Sequence, residues 1–355
     1  MVGPRYTNLS GENLIAGYAR LSKYTLWIVL ALTVATMFSV IAAVTIVTAG
    51  LAEKMFKLGW ESWHWSALIL IICYLIISIG RFNVLDHLMK VIMVVLSIST
   101  IVAVILSFKA APHAATGFDN VFSLSSSSDM EFLIAFIGWM PAPLDIAIWH
   151  SIWTAAKYAD RGSNDLKAEN FDFKVGFYGT AFLAICFLVL GSNMLYGTGI
   201  PLEEKAGKYA AQLIDLYTTS LGSWSYLIIL IAAFTTMFST TLTCFDAIPR
   251  VMKSIFTEMP AKKLKPLASK QLWLIILGVG AIVILARYVE NMKQMVTFAT
   301  VISFLTAPLL AYLSYLLVKR TNYAQKLWSD NERRLAFVGL IFLSVFSIYY
   351  IIQLL

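Results

Sequence analysis

Nine apolar stretches, most near the ~17–25 residues a helix needs to cross a bilayer core, limit this chain more than any other feature. They fall at about 24–52, 65–80, 84–107, 131–157, 172–196, 223–247, 271–289, 295–318 and 335–355. The second is short and bounded by Trp63, Trp65 and Arg81. So much apolar surface needs lipid around it, because a single globular core stops growing at roughly 250–300 residues. Composition agrees: 59% of the 355 residues are hydrophobic and 13% charged, where a soluble domain carries about 25% charge. A disordered chain, a secreted disulfide scaffold and an ordinary cytosolic enzyme are excluded. Cys73, Cys186 and Cys244 are far apart inside apolar runs and read as packing residues. His64, His87, His113 and His150 have no metal-ligand spacing. Residues 203–220 place Ala206, Tyr209, Ala210, Leu213, Ile214 and Tyr217 at helical spacing among charges, which predicts a surface helix within a loop.

A net charge of +7 would suit a nucleic-acid partner if the basic residues clustered, but they fall in the loops between apolar stretches. With strict alternation of spans, nineteen Lys and Arg residues lie on one side of the membrane and seven on the other. The richer side holds the N-terminal stretch, the turn at Arg81, residues 158–171 with their flanks, 248–270 and 319–334. That side is expected to be cytoplasmic. Partners are accordingly the bilayer and a small solute; neither nucleic acid nor an obligate protein partner is expected.

The stretch 132–158, FLIAFIGWMPAPLDIAIWHSIWTAAKY, crosses once yet carries Gly138, Pro141 and Pro143 near its middle. Each proline removes a backbone donor and clashes with the preceding turn, so two of them two residues apart predict a broken helix. Free backbone at membrane depth is tolerated where it lines a cavity or is buried in protein. Asp145 follows the break, where a charge is costly without a partner or an ion. A kinked helix with Asp145 bonded to a neighbour would also fit. A discontinuous helix coordinating a substrate or ion fits better.

The run Ile137-Gly138-Trp139-Met140-Pro141-Ala142-Pro143-Leu144-Asp145 resembles the broken sixth helix of the Nramp divalent-metal transporters. There a Met-Pro-His break offers a sulfur and a carbonyl to the metal. Matching Met140-Pro141 to that motif keeps the thioether and puts Ala142 at the histidine. Matching Gly138 and Pro143 keeps the family's spacing and is preferred; Ala142 then replaces the methionine, Leu144 the histidine, and Trp139 offers the carbonyl. Residues 32–51 look like the family's third helix, 3–19 like its link between helices two and three, and 293–318 like its tenth helix. Thr300 stands there where the family has a metal-approaching glutamine.

The resemblance, closest to a divergent bacterial branch, implies an all-α polytopic membrane protein with a leucine-transporter-like inverted-repeat fold. It divides the chain into a cytoplasmic link (1–23), three helices closing the first repeat (24–108) and an outer loop (109–130). A second repeat of five helices, broken at 138–145, follows at 131–318, and 319–355 holds a loop and a final helix. Five spans precede the break in that fold and three are read here, so two helices are expected to be missing, among them the carrier of the family's Asp-Pro-Gly-Asn ligands. It also implies a secondary transporter of a divalent metal ion (Mn, Fe or Mg class) in a bacterial cytoplasmic membrane, with the ion as substrate and no cofactor. The metal residues would be Trp139, Met140, Ala142, Asp145 and Thr300. Acidic residues after the family's Ala-Thr are Met37, Phe38, Ser39 and Val40 here, so proton coupling is expected to be weak or absent. An alternative on the same fold is sodium-coupled symport of an amino acid or other small organic solute, suggested by the hydroxyls of Ser239, Thr240 and Thr243. Ser and Thr are also common at packed helix interfaces. Asp246, close to Arg250, reads as an interfacial ion pair. No Ser-His-Asp grouping, His-Glu-x-x-His or phosphate-cradling loop supports an enzyme.

Overall fold

The computed structural model describes residues 2–22, 24–79, 83–110, 122–161, 166–196, 202–289, 291–322 and 324–354. Among these every regular element is a helix and there is no strand. In order the helices are α1 (Gly3–Ser10), α2 (Leu14–Leu21), α3 (Thr25–Phe56), α4 (Ser62–Ile79), α5 (Asn83–Ala110), α6 (Ser127–Trp139) and α7 (Ile146–Arg161). Then come α8 (Leu166–Met194), α9 (Ala206–Leu221), α10 (Tyr226–Glu258), α11 (Lys270–Arg287), α12 (Met292–Arg320), α13 (Ala324–Leu327) and α14 (Asp330–Leu354). Eight of them (α3, α4, α5, α8, α10, α11, α12 and α14) contain stretches long and apolar enough to cross a bilayer. The remaining apolar stretch of the sequence is α6 and α7, two helices separated by residues 140–145. The protein is an all-α, multi-pass membrane protein. The turn at Arg81, residues 162–165 and most of the expected outer loop (111–121) lie outside the described residues.

Helix α3 is the centre, packing on α4, α9, α10, α11 and α12. Ala42, Ala43, Ala49, Gly50 and Ala52 are buried along it, and small residues let backbones approach where no hydrophobic force drives helices together in lipid. A Cβ at Gly50 would collide with the carbonyl of Ala206, so α9 lies directly on α3. Thr48 and Thr241 share a 2.8 Å hydrogen bond between α3 and α10. The perimeter is greasy instead: Val91, Ile98 and Ile105 of α5, and Val338, Val345 and Ile352 of α14, are exposed, as a lipid-facing surface requires. The three cysteines are buried and unpaired.

Several helices run past the ends of their apolar stretches. α10 continues past 247 to Glu258 through Pro249, because Ile248, Val251, Met252, Ile255 and Phe256 repeat at helical spacing and are buried in the main core. α6 begins four residues before its apolar stretch. The serine run at the end of the expected outer loop (109–130) supplies its cap: Ser126 Oγ accepts from Asp129 N at 3.4 Å, and Ser127 and Ser128 are helical.

The N-terminal stretch is tied down along its length. Thr7 Oγ1 donates to Ser151 O (3.3 Å), and Leu14 N donates to Ser151 Oγ (3.0 Å), so α1 and α2 both hold α7. Asn13 and Ser254 bond α2 to α10, and the Tyr18 hydroxyl pairs with Ser314 of α12 at 2.8 Å. Burial pushes the Tyr18 hydroxyl up to about 12, so it stays neutral in this contact. Arg5 donates to Leu327 O and to Glu332 beyond α12.

Candidate functional site

The break is built by the prolines and held by α12. α6 stops at Trp139, and its last carbonyls lose the donors that a continuing helix would supply. The Met140–Pro141 peptide bond is cis. α7 restarts at Ile146, with Asp145 O accepting from Ile148 N at 2.9 Å and Trp149 N at 3.3 Å. A Cβ at Gly138 would collide with the carbonyl of Thr300, which is why glycine stands one residue before the helix end. Met130 and Ile134 bury against Phe304 and Tyr350, and Trp139 Nε1 donates to Ser303 Oγ at 3.0 Å. Backbone approach, apolar packing and a side-chain bond thus dock α6 along α12.

Two cavities flank this junction. The wide one, of about 810 Å³, is mostly apolar and is lined by residues of α3, α5, α6, α8, α9, α10 and α12. Met140 and Thr300 face it, together with Thr100, Tyr217, Thr236 and Thr297. The hydroxyls of Thr100 and Tyr217 bond each other at 2.8 Å, joining α5 to α9. The stretch expected as a surface helix is therefore part of the cavity wall. Thr236 Oγ1 is buried there without a hydrogen-bond partner. Among the described residues lining the wide cavity there is no carboxylate.

The second cavity is small, about 20 Å³, enough for one water-sized species. Asp145 lines it, facing Thr33 and Thr36 of α3 and Ser303 and Thr306 of α12, with aliphatic side chains, Met37 and Trp149 completing the wall. Asp145 Oδ1 is buried and accepts no hydrogen bond from any described group.

The structure thus divides the residues that the sequence groups as metal ligands. Met140 and Thr300 line the wide cavity and Asp145 the small one, while Trp139 spans from the end of α6 to Ser303. Ala142 lines neither, nor do Ser239, Thr240 and Thr243. Thr243 is exposed, and the Thr240 hydroxyl donates to Thr236 O within its own helix. The α10 hydroxyl facing α3 is Thr241. Asp246 is an ion-pair partner, at 2.7 Å from Arg250 and 2.6 Å from Lys270, with Trp153 Nε1 donating to it at 3.4 Å. No group of three or more His, Cys, Asp or Glu side chains gathers among the described residues. Sequence reasoning passes over Thr33, Thr36, Ser303 and Thr306. Their signal is hydroxyls three residues apart on two apolar helices, which puts each pair on one face.

A model of the family described as natural resistance-associated macrophage protein-like, Nramp, matches residues 10–354. A protein of Pasteurella multocida (strain Pm70), named Uncharacterized protein PM0681, is 31% identical over 361 aligned residues, covering 99% of this chain and 81% of that protein.

Proposed function

The chain belongs to the Nramp family, and from that premise we propose that the break between α6 and α7 is where it passes an ion of the Mn²⁺ or Fe²⁺ class. Membership implies divalent metal-ion transport by a multi-pass membrane protein, a carrier and not an enzyme. The observation that carries the finer reading is the position of Met140, at the break and on the wall of the wide cavity. A thioether favours borderline transition metals over Mg²⁺, which takes hard oxygen ligands and gives up water reluctantly. Carbonyls of the last turn of α6 and the Thr300 hydroxyl are the neighbouring oxygen donors on this chain.

Weak or absent proton coupling accompanies this reading. The described residues lining the wide cavity include no Asp, Glu or His. Burial pushes the Tyr217 hydroxyl up to about 12, out of reach of proton exchange near neutrality. The excess of Lys and Arg in alternate loops supports a cytoplasmic α1 and α2 in a bacterial inner membrane. Uptake by proteoliposomes containing the protein and an internal pH dye tests the reading. Mn²⁺ should enter with little acidification and Mg²⁺ should compete poorly. Mg²⁺ uptake equal to Mn²⁺, or acidification in step with metal entry, would overturn it.

A further inference from the structure

We infer that the small cavity between α3, α7, α10 and α12 binds a single sodium ion, separate from the divalent cargo. Its four hydroxyls have only acceptor capacity left to offer. Thr33 Oγ1 donates to Val29 O at 2.8 Å and Thr36 Oγ1 to Leu32 O at 3.0 Å. Ser303 Oγ donates to Ala299 O at 2.8 Å and Thr306 Oγ1 to Ser303 O at 3.0 Å. A hydroxyl has one proton. With all four protons spent on backbone carbonyls, these side chains face the cavity as acceptors alone. Asp145 adds a buried carboxylate oxygen with no donor. An acceptor-only cage suits a cation and rejects an anion.

Charge and size narrow the choice. Among the described residues no Lys, Arg or His lines the cavity, so the Asp145 carboxylate has no basic partner among them, and a bare charge at membrane depth is costly. One positive charge cancels it, whereas a divalent ion would leave a net charge buried among aliphatic walls. Oxygen donors of this kind suit hard ions. A volume of about 20 Å³ admits one water-sized species without a hydration shell, and a carboxylate oxygen attracts the smaller Na⁺ more strongly than K⁺ because the charges approach more closely. The site ties the break to its supports: Asp145 precedes α7, Thr33 and Thr36 belong to α3, and Ser303 also accepts from Trp139 at the end of α6. A sodium ion held there bridges both halves of the broken helix to α3 and α12.

The test uses the purified full chain in detergent, with melting temperature followed against NaCl at constant ionic strength set by choline chloride. Sodium should stabilise saturably, and potassium should need at least tenfold more for the same shift. Asp145→Asn should raise the half-saturating sodium concentration at least tenfold. Thr306→Val, which keeps shape and removes one acceptor, should raise it severalfold while leaving Mn²⁺ binding by calorimetry within a factor of two. Thr36→Val provides the same reading on α3 if Asp145→Asn does not fold. The proposal fails if choline or potassium stabilises as well as sodium, or if the half-saturating concentration is the same in all three variants. It also fails if lowering the pH in choline alone reproduces the full shift, since a proton would then occupy the site. It rests on the carrier reading for its place beside the cargo path, and the two are separable. Sodium stabilisation without Mn²⁺ binding sinks the carrier reading, and Mn²⁺ binding without a sodium response sinks the sodium site.

Discussion

Asp246 of α10 and Asp145 before α7 both lie within the helical bundle, yet their surroundings are opposite. Asp246 accepts from Arg250, Lys270 and Trp153, so its charge is cancelled by the protein itself. Asp145 has a buried oxygen with no donor and a cavity in front of it. The first arrangement joins α10 to α11 and α7 and leaves nothing for a solute. The second leaves a carboxylate oxygen free to take a partner from solution. A buried carboxylate therefore says little about function until its counter-charge is located, and of these two only Asp145 keeps an oxygen open to a solute.

The largest expected effects come from the places where protein groups complete each other. Asp246→Asn strands Arg250 and Lys270 beside each other and should destabilise the protein by about 3 kcal/mol or more, in the range for breaking a buried pair. A melt in detergent reads it, and a change below about 1 kcal/mol would show that solvent already screens the cluster. Gly138→Val drives a side chain into the Thr300 carbonyl and should cost about 3 kcal/mol by overpacking, with loss of metal uptake. Normal uptake would mean that α6 can stand off α12.

Smaller effects sharpen the contrast between the cavities. Met140→Ala should lower Mn²⁺ affinity by about tenfold, roughly 1.4 kcal/mol, with the sodium response unmoved, because Met140 lines only the wide cavity. A parallel loss of both would merge the two sites into one. Tyr18→Phe removes the hydrogen bond to Ser314 and should cost about 1 kcal/mol, with no effect on either ion. The smallest change is expected for Asp145→Asn in sodium-free buffer. It deletes an uncompensated charge, so stability should hold within about 1 kcal/mol or rise, the reverse of Asp246→Asn.

Much of the fold is legible from periodicity and punctuation. Each continuous span covers most of one of the apolar stretches, and the break falls where Pro141 and Pro143 make a helix impossible. Asp246 is legible as an ion-pair partner because Arg250 is four residues on, one turn away on the same face. Other features are invisible to local pattern. Pro249 sits inside α10 although proline normally ends helices, because the apolar face beyond it is buried against other elements. The role of Ser126 to Ser128 as a helix start was hidden by their low-complexity appearance.

What the sequence determined by itself is the solvent, the number of apolar stretches, the position of the break and the residues that stand there. Each follows from properties carried along the chain, namely hydropathy, helical period and the missing donor of proline. What only the tertiary structure decided is which residues share a cavity. Met140 and Asp145 are five residues apart, but the break turns the chain between them, so one faces the wide cavity and the other the small one. Thr33 and Ser303 are 270 positions apart and line the same wall. Adjacency of that kind comes from how α3, α7 and α12 pack, and packing in lipid is set by close backbone contact and satisfied polar groups rather than by any local pattern.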